Sequence, residues 1–145
     1  MSKTKKATSA KKKEAEPKEG AKHSLHNLYD EYNSYIRAND FYKQEIKYLQ
    51  KRLEDVAKRN TDKEIMAQVE QFQNQFIVLK EDVDVLNKEV KAGLKIVEKQ
   101  INKKPTHADE KTITVENPHS KKFHSLEKDF AGERLRFNKF LSKYL

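Results

Sequence analysis

Residues 53–72 read LEDVAKRNTDKEIMAQVEQF, and this stretch decides how the chain folds. On both sides of it, apolar residues recur at steps of three and four, the spacing of one face of a helix. Between Val56 and Ile65 the step is nine residues, which breaks the spacing. The phase of the pattern is therefore reset, and we predict a reversal of the chain rather than one continuous helix.

Three residues inside this stretch indicate where the helices end and begin. Thr61 and Glu64 are three residues apart, as in a capping box that starts a helix. Asn60 tolerates the left-handed conformation that often ends one. We expect the first helix to end at Asn60 and the second to be capped by Thr61.

Two long apolar stripes flank the reversal, from Leu25 to Val56 and from Ile65 to Ile101. They predict helices over about 24–59 and 61–102, folded as a long antiparallel, coiled-coil-like hairpin. Pairing the stripes gives partners whose numbers add to about 125, as for Leu53 with Phe72. In this register Tyr32 faces Gly93, whereas a register shifted by one heptad, with sums near 118, is the alternative.

Composition supports an all-α fold with a thin core. The chain has 145 residues, of which 37% are charged and 35% hydrophobic, and it contains only three glycines and three prolines. Sheets with tight turns need more of both residue types. The mean hydropathy of −1.05 argues against a membrane span. No cysteine is present, so disulfides and thiolate chemistry are absent.

The pattern divides the chain into four parts: a disordered basic tail (1–22), the hairpin (23–102), a linker (103–119) and a C-terminal amphipathic helix (120–145). In the linker, residues 112–115 (TITV) alternate as an extended segment does. We expect this segment to run along the helices, the alternative being pairing with a copy of itself or with a partner's sheet edge. Ser120 or Ser125 is expected to cap the last helix.

Phe41 and Tyr48 lie seven residues apart at the same outward position of the first helix. Such a pair either receives the C-terminal helix or forms a partner interface. Asn39 lies on the apolar stripe itself, where a buried amide commonly selects register and partner, although a solvent-facing position at a loosely packed end is the alternative. Phe41, Tyr48 and Asn39 are therefore the candidate interface residues.

Positive charge is concentrated at both ends of the chain. The net charge is +8, with eight lysines and three glutamates in residues 1–22 (+5), sixteen basic and seventeen acidic residues in 23–117 (−1), and seven and three in 118–145 (+4). Dense positive charge binds polyanions by counterion release, whereas a solubilising terminus has the same composition. The candidate polyanion contacts are Lys11, Lys12, Lys13, Lys121, Lys122, Arg134 and Arg136.

No catalytic or metal-binding motif occurs. The five histidines lack the spacing that directs two imidazoles at one metal, and there is no glycine-rich phosphate loop or nucleophile elbow. We expect no enzyme activity and no cofactor. The first thirty residues lack the apolar run of a signal peptide, so an intracellular protein of the cytoplasm, nucleoid or nucleus is expected.

The sequence predicts a non-enzymatic helical assembly or adaptor protein that acts through coiled-coil-type contacts, with itself as a homo-oligomer or with another helical protein. The alternative is a nucleic-acid-associated architectural protein whose basic N- and C-terminal segments bind the phosphate backbone.

Overall fold

The computed structural model describes residues 22–103 and 114–144. The elements are β1 (Lys22–Ser24), α1 (Leu25–Arg59), α2 (Lys63–Asn102), β2 (Thr114–Glu116) and α3 (Ser120–Tyr144). The predicted fold class is confirmed, because α1 and α2 form a long antiparallel hairpin and α3 packs against it. The predicted basic tail lies outside the described residues except for Lys22.

The reversal occupies residues 60–62, as the broken spacing predicts, and Asn60 ends α1 as its C-cap, also as predicted. The left-handed conformation expected for Asn60 and the cap expected at Thr61 are wrong. Asn60 has an extended backbone, with φ −130° and ψ 134°, and its side-chain amide donates to Val56 O at 2.8 Å. Asp62, not Thr61, caps α2 by accepting from Glu64 N at 2.8 Å and from Ile65 N at 3.3 Å. A carboxylate also interacts favourably with the helix dipole, which the neutral hydroxyl of Thr61 does not.

Three contacts across the hairpin fix its register. Lys43 Nζ lies 2.9 Å from Asp84 Oδ1, and Asn39 Nδ2 donates to Asn87 Oδ1 at 3.4 Å. Tyr32 packs on Gly93, where an added β-carbon would lie 2.9 Å from the ring. The register with sums near 125 is therefore confirmed, and the one-heptad alternative is excluded.

Helix α3 lies in the apolar groove of the hairpin, parallel to α1 and antiparallel to α2. Pairs of aromatic rings mark its path: Tyr35 with Phe123 (4.1 Å between centroids), Tyr42 with Phe130 (4.6 Å) and Phe76 with Phe137 (5.1 Å). Aromatic pairs at these distances contribute beyond the area that they bury. The core is thus shared by all three helices, and each helix contributes aromatic rings to it.

A two-stranded antiparallel sheet closes the open end of the hairpin. β1 pairs with β2, with His23 opposite Val115. The prediction that residues 112–115 run along the helices is wrong for the described part of this segment, which pairs with the segment that precedes α1. Since β1 leads into α1 and β2 leads into α3, both segments reach the same end of the hairpin and satisfy each other's backbone groups. Ser24 then caps α1 by accepting from Asn27 N at 3.1 Å.

Replacing Gly93 should test the packing of Tyr32. We expect Gly93→Ala to destabilise the fold by about 1–3 kcal/mol, because the added β-carbon displaces a buried ring, even though alanine is the better helix former. Gly132 is the matched control, since a β-carbon there would meet only the flexible Arg136 guanidinium at 3.5 Å. Gly132→Ala should stabilise by about 0.5–1 kcal/mol. Urea unfolding measures the change in unfolding free energy in both variants. If both changes had the same sign, the packing argument would be contradicted.

Candidate interaction surfaces

A hydrogen-bonded cluster at the open end of the hairpin positions the start of α3. Tyr35 Oη donates to Glu31 Oε1 at 2.6 Å, and Asn117 Nδ2 donates to the same oxygen at 2.6 Å and to Tyr35 Oη at 3.0 Å. Asn117 Oδ1 accepts from His119 N at 3.0 Å. Burial and the neighbouring carboxylate of Glu31 raise the pKa of Tyr35 well above its usual range. The cluster attaches the segment before α3 directly to α1.

Ser120 is the first residue of α3, and Ser125 lies inside the helix. At the start of α3 it is the side chain of Asn117 that accepts a hydrogen bond from the backbone, at His119 N. The serine cap predicted from the sequence is therefore wrong, and Asn117 forms a turn in the segment that precedes the helix.

Polar contacts fix both sides of α3. Toward α1, Tyr42 Oη donates to Glu127 Oε2 at 3.3 Å, and Arg134 Nη2 lies 3.6 Å from Glu45 Oε2. Toward α2, Lys122 Nζ lies 3.1 Å from an oxygen of Glu89. These contacts are partly exposed, and each contributes little to stability. They flank the apolar face of α3, whose burial decides which residues face outward.

A groove between α1 and α3 is bordered by large, exposed apolar side chains. This α1/α3 groove has a volume of about 500 Å³ and is lined by Phe41, Tyr42, Glu127, Phe130, Ala131, Arg134, Leu135 and Asn138. Phe41 is 51% exposed and Leu135 is 59% exposed, on opposite helices. Tyr48, 56% exposed, lies one heptad beyond Phe41 on α1. Large exposed apolar side chains around a concave surface are typical of interaction sites.

The predicted interface residues separate into two groups. Phe41 and Tyr48 point outward, and α3 packs beside Phe41 rather than over it. Asn39 is fully buried and pairs with Asn87 across the hairpin, so it does not belong to an exposed surface. The alternative of a solvent-facing Asn39 is therefore wrong, and its polar group acts within the hairpin.

Sequence reasoning missed Leu135 and Asn87. Leu135 lies two residues before Phe137 and five after Phe130, which places it on the opposite side of α3 from the core. An isolated leucine at that phase is a readable signal of an exposed apolar side chain. Asn87 follows the stripe residue Leu86 and carries no periodic signal of its own, so only the register of the hairpin reveals its contact with Asn39.

The predicted polyanion contacts are in different environments. Lys122, Arg134 and Arg136 pair with Glu89, Glu45 and Glu133, respectively. Lys121 is exposed and lies on the side of α3 turned away from the hairpin. Lys11, Lys12 and Lys13 lie outside the described residues. The structure therefore brings Lys122 and Arg134 to the sides of α3, where they contact the hairpin.

Within residues 22–103 and 114–144, no group of three or more His, Asp or Glu side chains is arranged to hold a metal ion. Over the same residues, no helix has both the length and the apolar character needed to cross a membrane. Comparison with protein families, with curated proteins and with solved structures found no match.

Single and double substitutions of Asn39 and Asn87 should separate two quantities. One is the loss of unfolding free energy when one asparagine loses its partner, and the other is the net contribution of the pair to stability. Asn39→Leu alone leaves Asn87 without its partner, so we expect a loss of about 1–3 kcal/mol. Asn39→Leu with Asn87→Leu should recover that loss or exceed the wild type, because Asn39 Oδ1 has no hydrogen-bond partner among the described residues. Urea unfolding of the wild type, both single variants and the double variant measures the coupling. A double variant less stable than either single one would contradict this account.

Alkaline pH should unfold the bundle through its buried tyrosines. Burial and nearby carboxylates raise the pKa of Tyr32 and of Tyr42 from 10.0 to about 12. The unfolded chain therefore loses these protons first, so this contribution to stability is complete below pH 10 and is lost as the pH rises to about 12. In the Tyr42→Phe variant, we expect the unfolding free energy to decrease less between pH 10 and about 12 than in the wild type. Urea unfolding at each pH measures this decrease. The exposed Tyr48→Phe is the control, and an equal effect of both would contradict the assignment.

Proposed function

We propose that this protein is a non-enzymatic helical adaptor that binds an amphipathic helix of a partner protein in the α1/α3 groove. The observation that carries the proposal is the pair of half-exposed side chains, Phe41 and Leu135, which face the same groove of about 500 Å³ from two different helices. An amphipathic helix laid in an apolar groove is a common mode of recognition between proteins.

Ordered side chains form the floor of the groove. The rings of Tyr42 and Phe130 lie 4.6 Å apart, and the hydroxyl of Tyr42 donates to Glu127. A partner would therefore meet a preformed surface and lose little free energy in ordering it. Phe41 and Tyr48 are seven residues apart on α1, about 10 Å along the helix axis. This distance matches two apolar side chains at positions i and i+7 of the bound helix.

Charge favours an acidic partner. Arg37 is exposed four residues before Phe41, and Lys51 is exposed three residues after Tyr48, so basic side chains lie at both ends of the apolar pair. The whole chain carries a net charge of +8, which opposes pairing of two copies. We therefore favour an acidic amphipathic helix of another protein over the homo-oligomer that is also expected from the sequence.

Binding of a designed peptide tests the proposal. The probe is a labelled 20-residue helical peptide with apolar residues at i, i+3, i+4 and i+7 and glutamates on its flanks, titrated by fluorescence anisotropy against the full chain. We expect Phe41→Ala and Leu135→Ala each to weaken binding about tenfold, the change that corresponds to 1.4 kcal/mol. Val85→Ala is the matched control, since Val85 is 57% exposed on α2 and does not line the groove.

Three outcomes would contradict the proposal: no binding, equal binding of a peptide with the same composition in scrambled order, or an equal loss in the Val85→Ala control. The mass of the full chain in solution separates the two kinds of partner. A dimer that Leu135→Ala converts to a monomer would assign the groove to a second copy.

A further inference from the structure

We propose that the outward side of α3 is a binding face for duplex nucleic acid, which adjoins the α1/α3 groove at Leu135. Four exposed lysines define this outer face of α3: Lys121, Lys128, Lys139 and Lys143. They contact the phosphate backbone, and the binding does not depend on base sequence. The inference does not depend on the proposed adaptor function, because the lysines lie outside the groove lining.

The four lysines lie on one side of a single helix. Lys121 and Lys128 are seven residues apart, and Lys139 follows Lys128 by eleven, so all three recur at nearly whole numbers of helical turns. Lys143 follows Lys139 by four residues and lies on the adjoining part of the face. The opposite side of α3 is buried against the hairpin through Phe123, Phe130 and Phe137.

The carboxylates of α3 are all turned away from this face. Glu127 contacts Tyr42 and His124 beside α1. Glu133 is buried and pairs with Arg136, and Asp129 lines a cavity between α2 and α3. The helix has seven basic and three acidic residues, and four lysines but none of its own acidic residues lie on the outer face.

Several basic residues of α3 are already engaged within the bundle, and three lysines of the outer face differ from them. Lys122 and Arg134 lie beside carboxylates of α2 and α1. By contrast, Lys121, Lys139 and Lys143 form no ion pair with any residue that the structure describes. A phosphate that meets these three lysines therefore displaces counterions rather than protein carboxylates, and the release of counterions drives binding.

The length and chemistry of the face fit a duplex better than a membrane. Lys121 and Lys143 are 22 residues apart, which is about 33 Å along the helix axis and close to one turn of a duplex, about 34–36 Å. Helices that lie on membranes insert an apolar side, but the phenylalanines of α3 are buried against the hairpin, and Leu135 is the one large apolar side chain exposed on the described part of α3. Lysines act as point charges and do not read base edges in the bidentate manner of arginine, so sequence-independent binding is expected.

The test measures how salt affects binding of the full chain to 24-base-pair duplexes of DNA and of RNA, by fluorescence anisotropy between 50 and 200 mM NaCl. The test variant is Lys121→Gln, Lys139→Gln and Lys143→Gln together. The control variant is Lys47→Gln, Lys63→Gln and Lys88→Gln together, which removes the same charge from exposed positions scattered over α1 and α2. Circular dichroism confirms that both variants remain helical.

We expect the test variant to weaken binding at least tenfold more than the control at 50 mM NaCl. The slope of log K against log salt should become shallower by about 2.7 in the test variant, since each phosphate contact contributes about 0.9. Both variants retain the lysines of residues 1–22, so any binding by that segment is equal in the two.

Equal losses in the two variants, or no binding of either duplex at 50 mM NaCl, would overturn the inference. Tighter binding to phosphatidylglycerol vesicles than to either duplex, lost in the same test variant, would overturn it in favour of a lipid surface. Phe41→Ala should leave duplex binding unchanged, so failure of the adaptor proposal and failure of this one are distinguishable.

Discussion

The contact of Tyr32 with Gly93 is the constraint on which the rest of the structure depends. The ring occupies the space that a side chain at position 93 would fill, so in this layer the two long helices approach closely because a glycine lies opposite the tyrosine. Asn39 with Asn87 and Lys43 with Asp84 repeat the same register further along the hairpin. A slip by one heptad would break all three contacts together. The register, in turn, forms the continuous apolar groove that receives α3.

The position of α3 follows from a second, polar constraint. Asn117, whose side chain is fully buried, joins the segment before α3 to Glu31 and Tyr35 of α1. Apolar packing alone allows a helix to slide or rotate in its groove, whereas these directional contacts select one arrangement. That arrangement leaves Leu135 and the outer lysines exposed and buries Glu133, so both proposed surfaces depend on the polar cluster as well as on the core.

Much of the fold could be predicted from the sequence because it depends on periodicity. The spacing of residues can be read directly from the sequence. It accounts for the two apolar stripes, the nine-residue step between them and the pairing of Tyr32 with Gly93. Asn60 was predicted to end α1, but the residue that caps α2 was not, since Thr61 and Asp62 are both good cap residues and one position decides between them. The pairing of β1 with β2 was not predicted, because it depends on contacts between segments that are far apart in the sequence. Of the proposed interaction surface, Phe41 and Tyr48 were predicted by their spacing, while the contribution of Leu135 to the same groove requires the position of α3 beside α1.

The polar cluster also bears on the order in which the molecule assembles. Glu31 and Asn117 are 86 positions apart, whereas the hairpin brings together residues close to its own turn first. Closing a longer loop costs more chain entropy, so the hairpin is expected to form before α3 docks. By the same reasoning α3 is the first element to detach. Because one wall of the α1/α3 groove belongs to α3, a ligand in that groove would hold the last-formed part of the molecule in place and slow amide exchange there.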